Sequence, residues 1–152
     1  MRRRAWCRHA TGGEANAAAY REGLDGVAAG IATAPAIVIV EPDALAGMDC
    51  LSRGKRRGRI QLLKGAVLRL SALPATSLYI DAGNPSWASP GRMAKRLRAV
   101  RGGRARGSSV NVAAFETTER SRAYGRALSC CAVRVPPVSY LPLPLPTTLL
   151  YL

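Results

Sequence analysis

Histidine is nearly absent from this 152-residue chain: His9 stands alone, and the four cysteines (Cys7, Cys50, Cys130, Cys131) show no Cys-x-x-Cys spacing. A tetrahedral metal site needs several such ligands at compatible spacings, so neither a metal nor another cofactor is expected. Aromatic residues make up only 5% of the chain, which leaves few side chains for stacking on bases. No run of about 18 apolar residues exists, which excludes a membrane-spanning helix. Carboxylates are scarce, with 9 Asp plus Glu against 23 Lys plus Arg and a net charge of +14. Such a surplus attracts polyanions by long-range Coulomb forces. Twenty of the 23 basic residues are Arg, however, and they accompany abundant Ala and Gly. That is also the product of a GC-rich coding sequence, so charge alone does not assign a function. The 48% apolar content is too high for a wholly disordered chain, and the length of 152 residues fits one domain at most.

The basic start, Met1 to His9, has the charge of a leader's first part but not the apolar stretch and cleavage site that should follow, so export is not expected from the chain as written. Cys130 and Cys131 are adjacent and poorly placed to bridge each other. Cys7 and Cys50 could pair if the fold brings them together, and four free thiols is the equal alternative.

Helix and strand signals alternate along the middle of the chain. Tyr20, Leu24, Val27 and Ile31 recur at helical spacing over 14–33, and Pro35 stops the helix. Residues 36–41 form a β-branched run, apolar on both faces, that reads as a buried parallel strand ending in Glu41 and Asp43. A helical period through Ile60, Leu63, Val67 and Leu70 leads to Pro74, and a second strand over 77–81 ends in Asp81. A third round follows, with Met93, Leu97 and Val100 on a basic helix, a strand over 109–113 and a helix over 118–129. Alternation of this kind predicts an α/β fold with a parallel sheet and crossover helices. The strands' carboxyl ends then face the binding crevice, which gathers Glu41, Asp43, Asp81 and Asn111 on one face. The competing reading is that such residues only begin loops and cap helices. Residues 132–152 hold five of the ten prolines and six leucines, a composition that predicts a disordered or non-native tail without a packed helix or central strand.

Four segments, quoted in full, resemble glycoside hydrolase family 6, the cellobiohydrolases and endoglucanases acting on β-1,4-glucans. Ile37-Val-Ile-Val-Glu-Pro-Asp-Ala-Leu-Ala46 is similar to that family's strand ending in Glu-Pro-Asp. Leu78-Tyr-Ile-Asp-Ala-Gly-Asn-Pro-Ser-Trp87 resembles its Tyr-Leu-Asp-Ala-Gly-His-x-x-Trp segment, and Arg106-Gly-Ser-Ser-Val-Asn-Val112 its Gly-Phe-x-x-Asn-Val strand. Ala19-Tyr-Arg-Glu-Gly-Leu-Asp-Gly26 resembles the helix before them. The resemblance implies a piece of a distorted (β/α) barrel. It divides the chain into a basic segment (1–11), a partial catalytic domain (12–131) and the Pro/Leu-rich tail (132–152). It also implies an extracellular enzyme.

Hydrolysing an acetal requires a carboxylic acid to protonate the departing oxygen. The resemblance gives that role to Asp43, with Glu41 and Asn111 in support, and gives substrate binding to Asp81, Asn84 and a sugar-stacking Trp87. In an inverting enzyme a second carboxylate activates water across the sugar, the two carboxyls standing roughly 6.5–9.5 Å apart. The chain departs from the family pattern in places: Trp6 precedes Cys7 where an Asp is expected, Asn84 replaces a His, and Ala114 replaces a substrate-binding Asn. The further functional Asp that the family carries toward its carboxyl terminus has no counterpart here. The expectation is a truncated or frame-disrupted hydrolase of β-1,4-glucan or cello-oligosaccharide, weakly active or inactive. The alternatives are a nucleic-acid-binding protein built on the basic stretches Arg53 to Arg59 and Arg92 to Arg106, or a product without function. Both stretches are expected on exposed faces, where they give salt-sensitive, non-specific nucleic-acid binding.

Overall fold

The computed structural model describes residues 16–112, 115–131, 137–138 and 148–151. The first helix, α1 (Ala17–Ile31), starts where the Asn16 side chain accepts hydrogen bonds from the Ala18 and Ala19 N–H groups at 2.9 and 3.0 Å. That cap, with Ala32 at φ 47°, makes the helix shorter than the apolar spacing suggests. Strand β1 (Ala36–Val40) follows Pro35 directly. Helix α2 (Arg53–Leu70) is capped by Ser52, whose hydroxyl accepts from the Lys55 N–H. Then come β2 (Thr76–Asp81), α3 (Pro90–Ala99) with proline in its first turn, β3 (Gly107–Ser109) and α4 (Thr118–Cys131). Short 3-10 turns over Ala46–Cys50 and Gly102–Arg104 precede α2 and β3.

The sheet is parallel throughout, with Ala36 to Val40 of β1 in register with Thr76 to Ile80 of β2, and Tyr79 to Asp81 with Gly107 to Ser109 of β3. Strand β3 therefore lies earlier than the 109–113 read from its apolar residues. Asn111 adopts φ 64°, which turns the chain out of the sheet two residues after Ser109. Two short segments of the tail add to the sheet. Pro137–Val138 (β4) pairs with β3 and Thr148–Tyr151 (β5) pairs with β1, giving the order β4-β3-β2-β1-β5. Both lie at sheet edges, where proline is tolerated in β4, and the 148–151 stretch contains no proline to interrupt its pairing.

Burial divides the sheet into two faces. Ala36, Val38 and Val40 of β1 and Leu78 and Ile80 of β2 pack in one cluster with Ile31 of α1, Leu63, Val67 and Leu70 of α2, Met93 and Leu97 of α3, and Tyr124 and Leu128 of α4. Ile37, Ile39 and Tyr79, on the opposite pleat, form a separate small cluster with Val112. All four described helices thus share one face, as in the wall of a β/α barrel. A doubly wound sheet places helices on both faces.

The end of β2 requires a glycine. Gly83 sits at φ 67°, and a Cβ there would stand 3.1 Å from both the Ala46 Cβ and the Trp87 ring. Gly83→Ala should therefore lower stability by about 2 kcal/mol or more, combining left-handed strain with displacement of the ring. Gly91→Ala, in an open helical position, should change stability by less than about 1 kcal/mol. Urea unfolding midpoints check both, and equal midpoints for the two variants would contradict this packing.

Candidate active site

Four residues with left-handed backbone lie just past the strands: Glu41 (φ 48°) and Asp43 (φ 69°) after β1, Gly83 after β2, and Asn111 after β3. Three of them carry side chains, and such strain persists only where surrounding bonds over-determine the backbone. Those bonds converge on Asp81, which is 1% exposed. Its Oδ2 accepts from the Asp43 N–H at 2.9 Å and from the Gly83 N–H at 3.1 Å. One carboxylate oxygen thereby ties the β1 loop to the β2 loop. Oδ1 of Asp81 is buried with no hydrogen-bond partner among the described residues, and so is Oδ1 of Asp43. Burial pushes the Asp81 pKa up to about 6, aided by the neighbouring Asp43 carboxylate, while the two N–H bonds pull it down. Burial also raises the pKa of the half-buried Asp43.

The segment after Asp43 is held by arginines from two helices. Arg96 of α3 donates to the Leu45 and Ala46 carbonyls at 2.8 and 3.2 Å and to Asp49 Oδ1 at 2.6 Å. Arg92 reaches the other Asp49 oxygen at 3.2 Å. From α2, Arg59 donates to the Ala44 carbonyl and Arg56 to the Leu51 and Asp49 carbonyls. Burial works against the Asp49 charge, but Arg96 and Arg92 hold its pKa below the ordinary value. The turn is also closed within itself, the Gly47 N–H donating to the Asp43 carbonyl at 2.7 Å. Arg96, read from sequence as part of an exposed basic face, has a side chain only 11% exposed, because its guanidinium serves the carbonyls of this loop.

The other expected residues are arranged around this centre. Glu41 is hydrogen-bonded to Tyr20 of α1, whose pKa is raised by burial and by the Glu41 charge. Asn84 is 3% exposed, and its Oδ1 accepts from the Ser86 N–H at 2.9 Å, closing the turn that presents Trp87 against Gly83. Asn111 holds Glu116 twice, its Nδ2 donating to the Glu116 carbonyl and its Oδ1 accepting from the Glu116 N–H, each at 3.0 Å. The Glu116 carboxylate in turn accepts from the Ser86 hydroxyl and pairs with Arg120. Asn84 and Asn111 therefore spend their side-chain oxygens on loop structure. Cys50, at the far end of the segment that follows Asp43, is disulfide-bonded. Cys7 lies outside the described residues, and Cys130 and Cys131 are free and exposed. Among the described residues no His, Cys, Asp and Glu group is arranged to hold a metal, and no helix is long and apolar enough to cross a membrane.

Sequence reasoning missed three members of the site. Tyr20 reads as one apolar position of α1, and nothing in the sequence analysis singles out Glu116 or Tyr124. Tyr124 is 4% exposed, donates to the Ala82 carbonyl at 3.3 Å, and has its pKa pushed up to about 12 by burial and the nearby Asp81 charge. Its position four residues before Leu128 on α4 was the available signal for an inward-facing ring.

Residues 2–130 match Glycosyl hydrolases family 6. The match includes most of the basic segment that composition had set apart as 1–11. The chain is 38% identical over 122 residues to Endoglucanase 1 of Streptomyces halstedii, covering 80% of this chain and 38% of that protein. It is 40% identical over 124 residues to Endoglucanase A of Cellulomonas fimi, covering 81% and 26%. In three dimensions it superposes with a TM-score of 0.79 on the endoglucanase Cel6 of Mycobacterium tuberculosis, solved with methyl-cellobiosyl-4-deoxy-4-thio-β-D-cellobioside. That likeness is at 46% identity and covers 83% of this chain and 43% of that one. The chain thus spans less than half the length of these relatives. The helices on one face of a parallel sheet, the carboxylates at its strand ends and the match over 2–130 agree: this chain belongs to Glycosyl hydrolases family 6 and carries part of that family's distorted β/α barrel.

Proposed function

We propose that this chain forms the acid half of a β-1,4-glucan hydrolase site, with Asp43 as the general acid. The observation that carries the reading is the Asp43 carboxyl itself. It sits half-buried at the strand ends, with one oxygen unpartnered and its backbone N–H fixed by Asp81. A carboxyl in such a setting keeps its proton to higher pH than a solvated one, which is the state needed to protonate a departing glycosidic oxygen. Asp81 acts through Asp43, holding its backbone. Trp87 offers a half-buried indole on which the apolar face of a glucose ring can stack. Asn84 shapes the turn beneath that ring. Asn111 anchors Glu116, and Glu41 anchors α1 through Tyr20. The base of an inverting reaction acts from across the sugar, and neither Asp81, bound to two N–H groups, nor Glu41, bound to Tyr20, is disposed to serve. The β-glucan substrate is a polymer met outside the cell, and the Cys50 disulfide accords with an oxidising compartment.

Trp87→Ala should abolish binding of a soluble cello-oligosaccharide while leaving salt-sensitive adsorption to a DNA duplex unchanged. Titrations of both ligands at two salt concentrations check this, and DNA binding alone in the parent protein would overturn the glucan reading. Hydrolysis of soluble β-glucan by the parent, however slow, should fall at least about 100-fold in Asp43→Asn. Equal rates in the two proteins would remove Asp43 from its role.

Asp81 adds a pH dependence. Its carboxyl binds a proton more tightly in the fold, at about 6, than in the unfolded chain, near the ordinary 3.8. Its contribution to stability is therefore fully present at or below pH 4 and is lost as the pH rises through 6. Asp81→Asn keeps an oxygen acceptor for both N–H groups and removes this loss. Its stability relative to the parent in urea unfolding should be greater at pH 7 than at pH 4, by on the order of 3 kcal/mol. An offset independent of pH would contradict it.

A further inference from the structure

Four arginine side chains from two helices hold the carbonyls and the one carboxylate of the segment that follows Asp43, and one of them spans it. Arg96 reaches Leu45, Ala46 and Asp49 with a single guanidinium. The planar fork of arginine allows this, since its N–H groups point in fixed directions and are satisfied by acceptors lying in one plane. Leu45 is 1% exposed and Ala46 2%, so their carbonyls need internal donors; besides Arg96, the Leu45 carbonyl accepts a longer bond from the Met48 N–H at 3.4 Å. Arg96 also lies close enough to the floor of the site to act electrostatically on Tyr124, the ring beside Asp81. Asp43 is consequently fixed from both sides, its N–H by Asp81 and its following residues by Arg96.

We propose that Arg96 is a positioning residue for Asp43, its guanidinium bridging Asp49 and the Leu45 and Ala46 carbonyls so that the loop keeps the Asp43 carboxyl in its half-buried place beside Asp81. This rests on the reading of Asp43 as the acid, and it assigns Arg96 no contact with substrate. Without the bridge, the buried Leu45 carbonyl is left with its long bond from the Met48 N–H and the Ala46 carbonyl loses the Arg96 donor, so the loop opens toward water. Asp43 then becomes better solvated and its carboxyl returns toward the ordinary range. The charged and titratable groups around this loop are Asp81, Glu41 with Tyr20, Asp49, Arg56, Arg59, Arg92 and Tyr124. All are retained in Arg96→Gln, and loss of the Arg96 charge alone would raise the Asp43 pKa, so a fall reports the bridge.

The test is a carboxyl-carbon NMR titration of the full chain, with the Asp43 resonance assigned by its loss in Asp43→Asn. Arg96→Gln should lower the Asp43 midpoint toward the ordinary carboxylate value, and Arg96→Lys, which keeps the charge without the fork, should give an intermediate midpoint. Arg98→Gln serves as control: Arg98 lies on the same helix and donates to the Cys131 carbonyl at 2.7 Å, away from the acid loop, and it should leave Asp43 unchanged. Where β-glucan hydrolysis is measurable, Arg96→Gln should lower kcat about 10-fold or more with KM within about twofold, as misplacement of a reacting group does. The alkaline limb of its pH profile should move to lower pH. If Arg96→Gln does not fold, Arg96→Lys, which keeps the charge, should by itself shift Asp43 in the same direction. An Asp43 midpoint unchanged or raised in Arg96→Gln, or unchanged in Arg96→Lys where that variant is needed, overturns the proposal whatever happens to the melting temperature. The titration needs no substrate, so it reads the role of Arg96 separately from the glucan reading, which fails only if no cello-oligosaccharide binds.

Discussion

One carboxylate oxygen joins the two loops on which the rest of the site depends. Asp81 Oδ2 accepts from the Asp43 N–H and the Gly83 N–H, so the left-handed backbone after β1 and the left-handed backbone after β2 are fixed by the same atom. A bond of this kind to an ionised acceptor is stronger than one between neutral groups, and burial strengthens it further. Burial also makes the charge costly, which is why the Asp81 pKa rises to about 6 despite two donors. The strand brings Asp81 there without special provision. It is the last residue of β2, paired with Ser109 in the parallel register, and its side chain continues the pleat of Tyr79. Gly83 then admits the Trp87 ring so closely that a Cβ would stand 3.1 Å from it, on a backbone at φ 67° that strains any side chain.

The surplus of positive charge acquires a partly structural meaning. Four arginines of the basic stretches reach the loop after Asp43: Arg56, Arg59 and Arg96 donate to its carbonyls, and Arg92 and Arg96 to the Asp49 carboxylate. A fifth, Arg98, fixes the end of α4. Lysine could supply the charge but not the fork. The remaining basic side chains of those stretches, such as Arg53, Lys55 and Arg57, are exposed, and they give the surface its non-specific attraction for polyanions.

Much of the architecture was legible before any coordinates, because alternating apolar periods and proline stops are local properties. The β-branched run of β1 and the helical spacing of Leu63, Val67 and Leu70 placed those elements correctly, and the strand-end position of Asp43 and Asp81 brought the two together as expected. What was not legible depends on contacts distant in sequence. Nothing near Arg96 reveals that its partners lie about fifty positions earlier, and nothing near Tyr20 points to Glu41 across the loop. The early end of β3 follows from the backbone of Asn111 and its bonds to Glu116, an Asn-specific tolerance of left-handed conformation that an apolar pattern does not register. The two tail strands likewise arise from free sheet edges, a property of the fold that composition does not encode.

The chain belongs to Glycosyl hydrolases family 6, and the central physical claim is narrower: a single buried carboxyl, Asp81, holds the loop after β1 and the Trp87 turn together. The most direct measurement follows the backbone amide shifts of Asp43 and Gly83 by NMR as the pH is changed. Both N–H groups donate to the same oxygen, so the account predicts that the two amides titrate together with one midpoint near 6. Separate midpoints, or a common one near the ordinary 3.8 of a solvated Asp, would contradict it.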